Sequence, residues 1–235
     1  MYRLTILLTL LVFSFGAVAK DSDHGKWYAD IQAFEAADKT NPPPANAVLF
    51  IGSSSIRFWK TLSTDFPAYR VINRGFGGSD LDDATAFADQ IVTPYHPAAL
   101  VIYAGDNDIE GGDAPEQGRD DFADFVVKVR RAQPDLPIAF IAIKPSVARV
   151  ALLPQILQAN ALIRDWAATQ KNVTFLDIVP AMLDAQRKPR PDLFLPDGLH
   201  MNAKGYALWV AQVAPWLTGH AVAAEDKQMP NAPTP

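Results

Sequence analysis

The chain has 235 residues, 49% of them hydrophobic, with 21 Lys and Arg against 26 Asp and Glu, a formal charge of −5 and no cysteine. That length and apolar content suffice for one filled domain, while a mildly acidic chain without a Lys/Arg-rich run lacks the clustered positive charge that a nucleic-acid partner demands. Without cysteine there are no disulfides, no thiol nucleophile and no thiolate zinc site.

From the N-terminus, Met1-Tyr2-Arg3 leads into an apolar stretch, Leu4 to Phe13, and then to the small-residue pattern Ala17-Val18-Ala19. This order of charge, apolar core and small residues is that of a cleavable signal peptide over residues 1–19. The competing reading is an uncleaved anchor, but the stretch is short for a span of ~20 residues. We therefore expect a periplasmic or secreted protein with no stable membrane insertion. Residues 20–46 are expected to form a helix and a strap, with Pro42-Pro43-Pro44 as an extended lead-in.

Five apolar segments follow: Ala47 to Ile51, Tyr69 to Ile72, Ala99 to Tyr103, Ile138 to Ile143 and Val173 to Ile178. They are nearly continuous in hydrophobicity, which suits strands of a parallel sheet covered on both faces. Between them lie runs with helical spacing, Phe122, Phe125, Val126 and Val129, then Ile156, Leu157, Ala161, Leu162 and Trp166. The alternation predicts an α/β fold, a doubly wound sandwich, over residues 47–219. A last helix should start at the N-cap Asn202 and end before Pro215. Residues 220–235, rich in Pro and charge, are expected to be a disordered tail.

Ligands of an open parallel sheet bind at the carboxyl ends of its strands. Three motifs fall there: Gly52-Ser53-Ser54-Ser55, Gly75-Phe76-Gly77-Gly78 and Gly105-Asp106-Asn107-Asp108. A fourth, Asp197-Gly198-Leu199-His200, precedes the last helix. Together they hold a nucleophile, a base, a carboxylate to orient the base, and donors for an oxyanion, which is the equipment of a serine hydrolase acting on esters. Each has a blander reading: the serines as an N-cap cluster or phosphate-binding turn, the glycines as a flexible turn, Asn107 and Asp197 as turn formers. Asp108 reads as a brace of its loop. Arg57 and Trp59 are candidate substrate-binding residues, although the readings placed ahead are an Arg57 paired with Asp80 or Asp82 and a Trp59 in the core. Arg74 flanks the same loops, and Lys144 ends the fourth segment.

The four motifs, spanning about Val48 to Trp209, resemble those of the SGNH hydrolases, a branch of the GDSL-type esterases and lipases. One residue departs from the pattern: Ser53 stands where the family usually has Asp before its nucleophile. The resemblance implies a three-layer α/β/α sandwich with a five-stranded parallel sheet, flavodoxin-like, as the hydrolase domain of residues 47–219. It implies Ser54, Asp197 and His200 as catalytic residues, with the Ser54 amide, the Gly78 amide and Asn107 as oxyanion hole. It implies no metal or organic cofactor. The expected substrate is a small-molecule or carbohydrate ester with a short acyl group. Other readings are a lysophospholipase or platelet-activating-factor-acetylhydrolase-like lipid esterase, an acyltransferase, and a non-catalytic binding module of the same fold. The residues leave the oligomeric state open.

Overall fold

The computed structural model describes residues 24–221; the expected signal peptide and nearly all of the expected tail lie outside the described residues. Five strands, β1 (Val48–Gly52), β2 (Val71–Gly75), β3 (Ala99–Tyr103), β4 (Ile138–Ile141) and β5 (Val173–Leu176), form one sheet in the order β2-β1-β3-β4-β5. All four pairings are parallel. Every residue of β1 and β3 is buried, because both faces of the central strands are covered. Leu49, Ile51, Leu100 and Ile102 enter one core, and Val48, Phe50, Val101 and Tyr103 enter the other. That is the period-two geometry of a strand applied to an unbroken apolar run.

The first core is closed by the helices Pro115–Arg130 and Leu153–Ala167, whose inward residues include Phe122, Phe125, Val129, Ile156 and Ile163. The second is closed by the C-terminal helix Ala203–His220 through Trp209, Val213 and Leu217. Helices on both faces of a parallel sheet make the expected three-layer sandwich. Among the described residues no helix is long and apolar enough to cross a membrane.

Three details differ from the sequence reading. β2 lies further along the chain than Tyr69 to Ile72 and includes Asn73 and Arg74. It is an edge strand, so polar side chains survive in it: Asn73 bonds Ile56 O and Gly75 N, and Arg74 pairs with Asp38 and Tyr95. Arg74 thus fastens the N-terminal helix Tyr28–Thr40 to the sheet. In Leu153–Ala167 the buried stripe is Ile156, Ala159, Asn160, Ile163 and Ala167, and Leu157, Ala161, Leu162 and Trp166 are partly exposed.

Pro215 does not end the last helix, which continues to His220, one residue into the expected tail. A proline inside a helix costs roughly 3 kcal/mol. Burial of Trp216 and Leu217 beyond it, each contributing roughly 1.5–3 kcal/mol, offsets that cost. Asn202 caps the helix as expected, accepting from Lys204 N and Gly205 N at 2.9 and 3.3 Å.

Candidate active site

Three of the four motifs sit where a strand ends. β1 ends at Gly52 with φ +127°, and a Cβ there would fall 1.8 Å from Tyr103 O, so the turn into the short helix Ser54–Arg57 requires glycine. Ser53 and Ser55 point into the protein, each 1% exposed, whereas Ser54 is partly exposed. Just beyond this helix Trp59, a candidate substrate-binding residue, belongs largely to the core: it is 1% exposed, stacks on Tyr206 at 5.1 Å and donates through Nε1 to Asp65 at 2.6 Å, while still lining the cavity at which Arg57 stands.

The loop before the C-terminal helix brings His200 to Ser54. His200 Nε2 lies 3.0 Å from Ser54 Oγ, and His200 Nδ1 lies 2.7 Å from Asp197 Oδ2. Asp197 Oδ1 also accepts from the amides of Leu199 and His200, both at 2.9 Å. The hydrogen bond to His200 and that from the Leu199 amide hold the Asp197 carboxyl down at about 2, although its side chain is 46% exposed. It is therefore a carboxylate at any pH near neutrality. Phe58 packs edge-on to the imidazole with ring centroids 4.9 Å apart, and Tyr206 ties the C-terminal helix to the serine turn by donating to Ser55 O.

Three donors make up the expected oxyanion hole. Among the described residues the amides of Ser54 and Gly78 have no acceptor. Asn107 Nδ2 donates one hydrogen to Ser79 O at 2.8 Å, which leaves its second hydrogen available. Gly78 adopts φ +81°, and a Cβ on it would meet Trp27 Cη2 at 3.2 Å. Trp27 stands against this turn because its Nε1 donates to Asp83, which is 2% exposed, and its ring packs on Phe76. The N-terminal strap thus walls the site, a role that the sequence reading missed.

It also missed Arg149. Arg149 Nη2 donates to Asn107 Oδ1 at 3.0 Å, and its Nη1 lies 3.1 Å from Asp106. Asp106 is bound from below by Lys144 Nζ at 2.5 Å, and Lys144 also donates to Tyr103 Oη at 3.0 Å. Burial alone would raise the Asp106 carboxyl, but Lys144 and Arg149 outweigh it and hold the group below its usual range. Lys144 is therefore a buried counter-ion under the Asn107 loop. Asp108 braces that loop as expected, accepting from Leu81 N at 3.0 Å.

Arg57 forms no ion pair with Asp80, Asp82 or any other carboxylate among the described residues, contrary to the structural alternative weighed for it. It is exposed at the rim of a cavity of about 410 Å³ that also reaches Asn73 and Gly75. Among the described residues no group of three or more His, Asp or Glu side chains is placed to hold a metal ion.

A serine within hydrogen-bond reach of an imidazole that a carboxylate orients, with unpaired donors alongside, has the parts needed for acyl transfer. In class this is an α/β protein with its candidate site at the carboxyl ends of a parallel sheet. The chain belongs to the GDSL-like lipase/acylhydrolase family, whose model matches residues 52–208. No curated protein matches it in sequence. Among solved structures it is similar to a Streptococcus pneumoniae protein proposed to be a platelet activating factor, with TM-score 0.72, 19% identity, and 82% of this chain and 93% of that one covered. It is similar also to a GDSL-like lipase from Bacteroides thetaiotaomicron, with TM-score 0.71, 18% identity, and 81% and 98% covered. A carbohydrate esterase of family 3 from Talaromyces cellulolyticus aligns with TM-score 0.59, 19% identity, and 73% and 96% covered. At these identities the likeness is one of fold.

Proposed function

We propose that the chain is an exported serine esterase that cleaves short-chain acyl esters, acetyl esters of carbohydrates among them, through Ser54, His200 and Asp197. The observation that carries this reading is the continuous hydrogen-bond path from Ser54 Oγ through the two nitrogens of His200 to Asp197. Ser54 attacks the ester carbonyl while His200 takes its proton, and Asp197 fixes the imidazole tautomer and stabilises the imidazolium. The amides of Ser54 and Gly78 and the free Asn107 Nδ2 hydrogen hold the oxyanion. His200 then protonates the leaving alcohol and later activates the water that releases the acyl group from Ser54. No metal or organic cofactor enters this scheme.

Short acyl groups are favoured because Trp27 stands against Gly78 and limits the room beside the oxyanion turn; the carbohydrate esterase of like fold supports the same substrate class. The Gly75-to-Gly78 turn and the pneumococcal structure support a second reading, a lipid ester with a short acyl chain. Export rests on the signal-like residues 1–19. The reading is tested by hydrolysis of p-nitrophenyl esters from acetate to palmitate: turnover of the short members, lost in Ser54→Ala and His200→Ala, is the expected result. Folded protein that hydrolyses none of them would return the chain to the binding-module reading.

A further inference from the structure

We infer that Arg57 selects esters that carry a carboxylate close to the scissile bond, an inference that rests on the esterase reading above and names its substrate class. Arg57 ends the helical turn that begins with Ser54, three residues on. A Cβ placed on Gly77 would lie 3.0 Å from Arg57 Nη1 and 3.8 Å from Ser54 Cβ. The guanidinium and the nucleophile therefore flank one small space, which glycine leaves open to a substrate.

The charge in that space lies 6.0 Å from the Phe58 ring and has no carboxylate partner among the described residues. Arg74 and Arg149, the other arginines around the strand ends, are paired with Asp38 and with Asp106 and Glu110. Arg57 has no ion pair among the described residues, and neither has Lys60, which lines the same cavity of about 410 Å³. Asp30 lines the cavity from the N-terminal helix without an ion pair to either. Arg57 lines that cavity and also borders the space beside Gly77 and Ser54, so the wall shared by the two is cationic. A guanidinium offers a planar fork of donors that matches a carboxylate. The carboxylate can belong to the acyl group, as in a hemiester of a dicarboxylic acid, or to the alcohol, as in the ester of a hydroxy acid. The shared chemistry is an anionic ester.

The experiment compares kcat/KM, after subtraction of spontaneous hydrolysis, within two matched pairs. Mono-p-nitrophenyl adipate against p-nitrophenyl hexanoate tests the acyl side, and 3-carboxyphenyl acetate against 3-carbamoylphenyl acetate tests the alcohol side. One charged-to-neutral ratio should be about tenfold in wild type, the scale of one charge-assisted hydrogen bond. That ratio should fall to about one in Arg57→Gln, be partly kept in Arg57→Lys, and shrink between low salt and about 0.5 M NaCl as screening grows. Neutral esters turned over as fast as charged ones in both pairs, or a preference that survives in Arg57→Gln, would overturn the assignment while leaving the esterase reading intact. Failure to hydrolyse any of the four esters would overturn both.

Discussion

Arg149 Nη2 donates to Asn107 Oδ1 at 3.0 Å while Asn107 Nδ2 donates to Ser79 O at 2.8 Å, so the Asn107 amide is held from both ends and cannot flip without losing two hydrogen bonds. The arginine is anchored in turn by Asp106, and Asp106 by the buried Lys144. A surface-accessible donor is thus oriented by a charge network beneath it. Pre-orientation of this kind is what an oxyanion donor needs, since a donor that must reorganise during reaction stabilises the charge less.

Removal of that support should act on the chemical step. Arg149→Ala is expected to lower kcat on p-nitrophenyl acetate by about 10- to 100-fold, somewhat less than complete loss of an oxyanion donor, with a much smaller change in KM. Arg149→Lys should not restore the rate, because a lysine ammonium cannot contact Asn107 and Asp106 with one planar fork. A wild-type kcat in Arg149→Ala, measured by steady-state kinetics, would show that Ser79 alone positions the amide.

The three adjacent serines should separate cleanly. Ser53 Oγ and Ser55 Oγ are buried without a hydrogen-bond partner, so Ser53→Ala and Ser55→Ala remove an unsatisfied group and should change stability by less than about 1 kcal/mol. Both variants should retain most of the rate on p-nitrophenyl acetate. Ser54→Ala should lose at least about four orders of magnitude in kcat, as expected when a nucleophile is removed. Equal loss at Ser53 would move the nucleophile.

Ser54, Asp197 and His200, which the structure brings within hydrogen-bond reach of one another, could be singled out because acyl transfer demands those residue types, whereas Gly78 and Asn107 were picked out by the resemblance to the SGNH hydrolases. The sheet itself was readable from apolar runs that only burial on two faces explains. Arg149 was not, because nothing in local spacing ties it to Asn107, 42 residues away. Trp27 reaches the Gly78 turn only by docking of the N-terminal segment on Asp83, a tertiary contact with no periodicity to announce it. Pro215 misled for a related reason: a local helix-breaking rule lost to the burial of Trp216 and Leu217. Trp59 shows the converse, since nothing in local spacing announces that its ring packs on Phe66, Tyr206 and Trp209 as well as lining the cavity.

Gly52 should tolerate no side chain. The Cβ of Gly52→Ala would fall 1.8 Å from a backbone oxygen, Tyr103 O, and φ is +127°. Neither clash can be relieved by a rotamer change. We expect destabilisation above about 4 kcal/mol or failure to fold, in the range of severe backbone and packing lesions, measured by urea unfolding. Near-wild-type stability would mean that the β1 and β3 ends can separate.

Asp108 should make the fold less stable as pH rises. Burial raises its carboxyl from 3.8 to about 8, against the lowering effect of the Leu81 amide. Above 3.8 the unfolded chain releases this proton while the folded protein keeps it, so the stability contributed by the neutral carboxyl is full below 3.8 and is lost as pH rises towards 8. Asn in its place can still accept from Leu81 N and cannot ionise. Asp108→Asn should therefore flatten the decline in unfolding free energy between pH 5 and about 8, where the slope per proton is at most about 1.4 kcal/mol per pH unit. An unchanged slope in urea titrations would assign the decline to other groups.

Whether Ser54 is an activated serine is decided by labelling the purified protein with a fluorophosphonate, then intact-mass measurement and peptide mapping. One adduct per chain is expected, on Ser54, abolished in His200→Ala. A folded protein that stays unlabelled, or one labelled at Ser53 or Ser55, would contradict an activated Ser54.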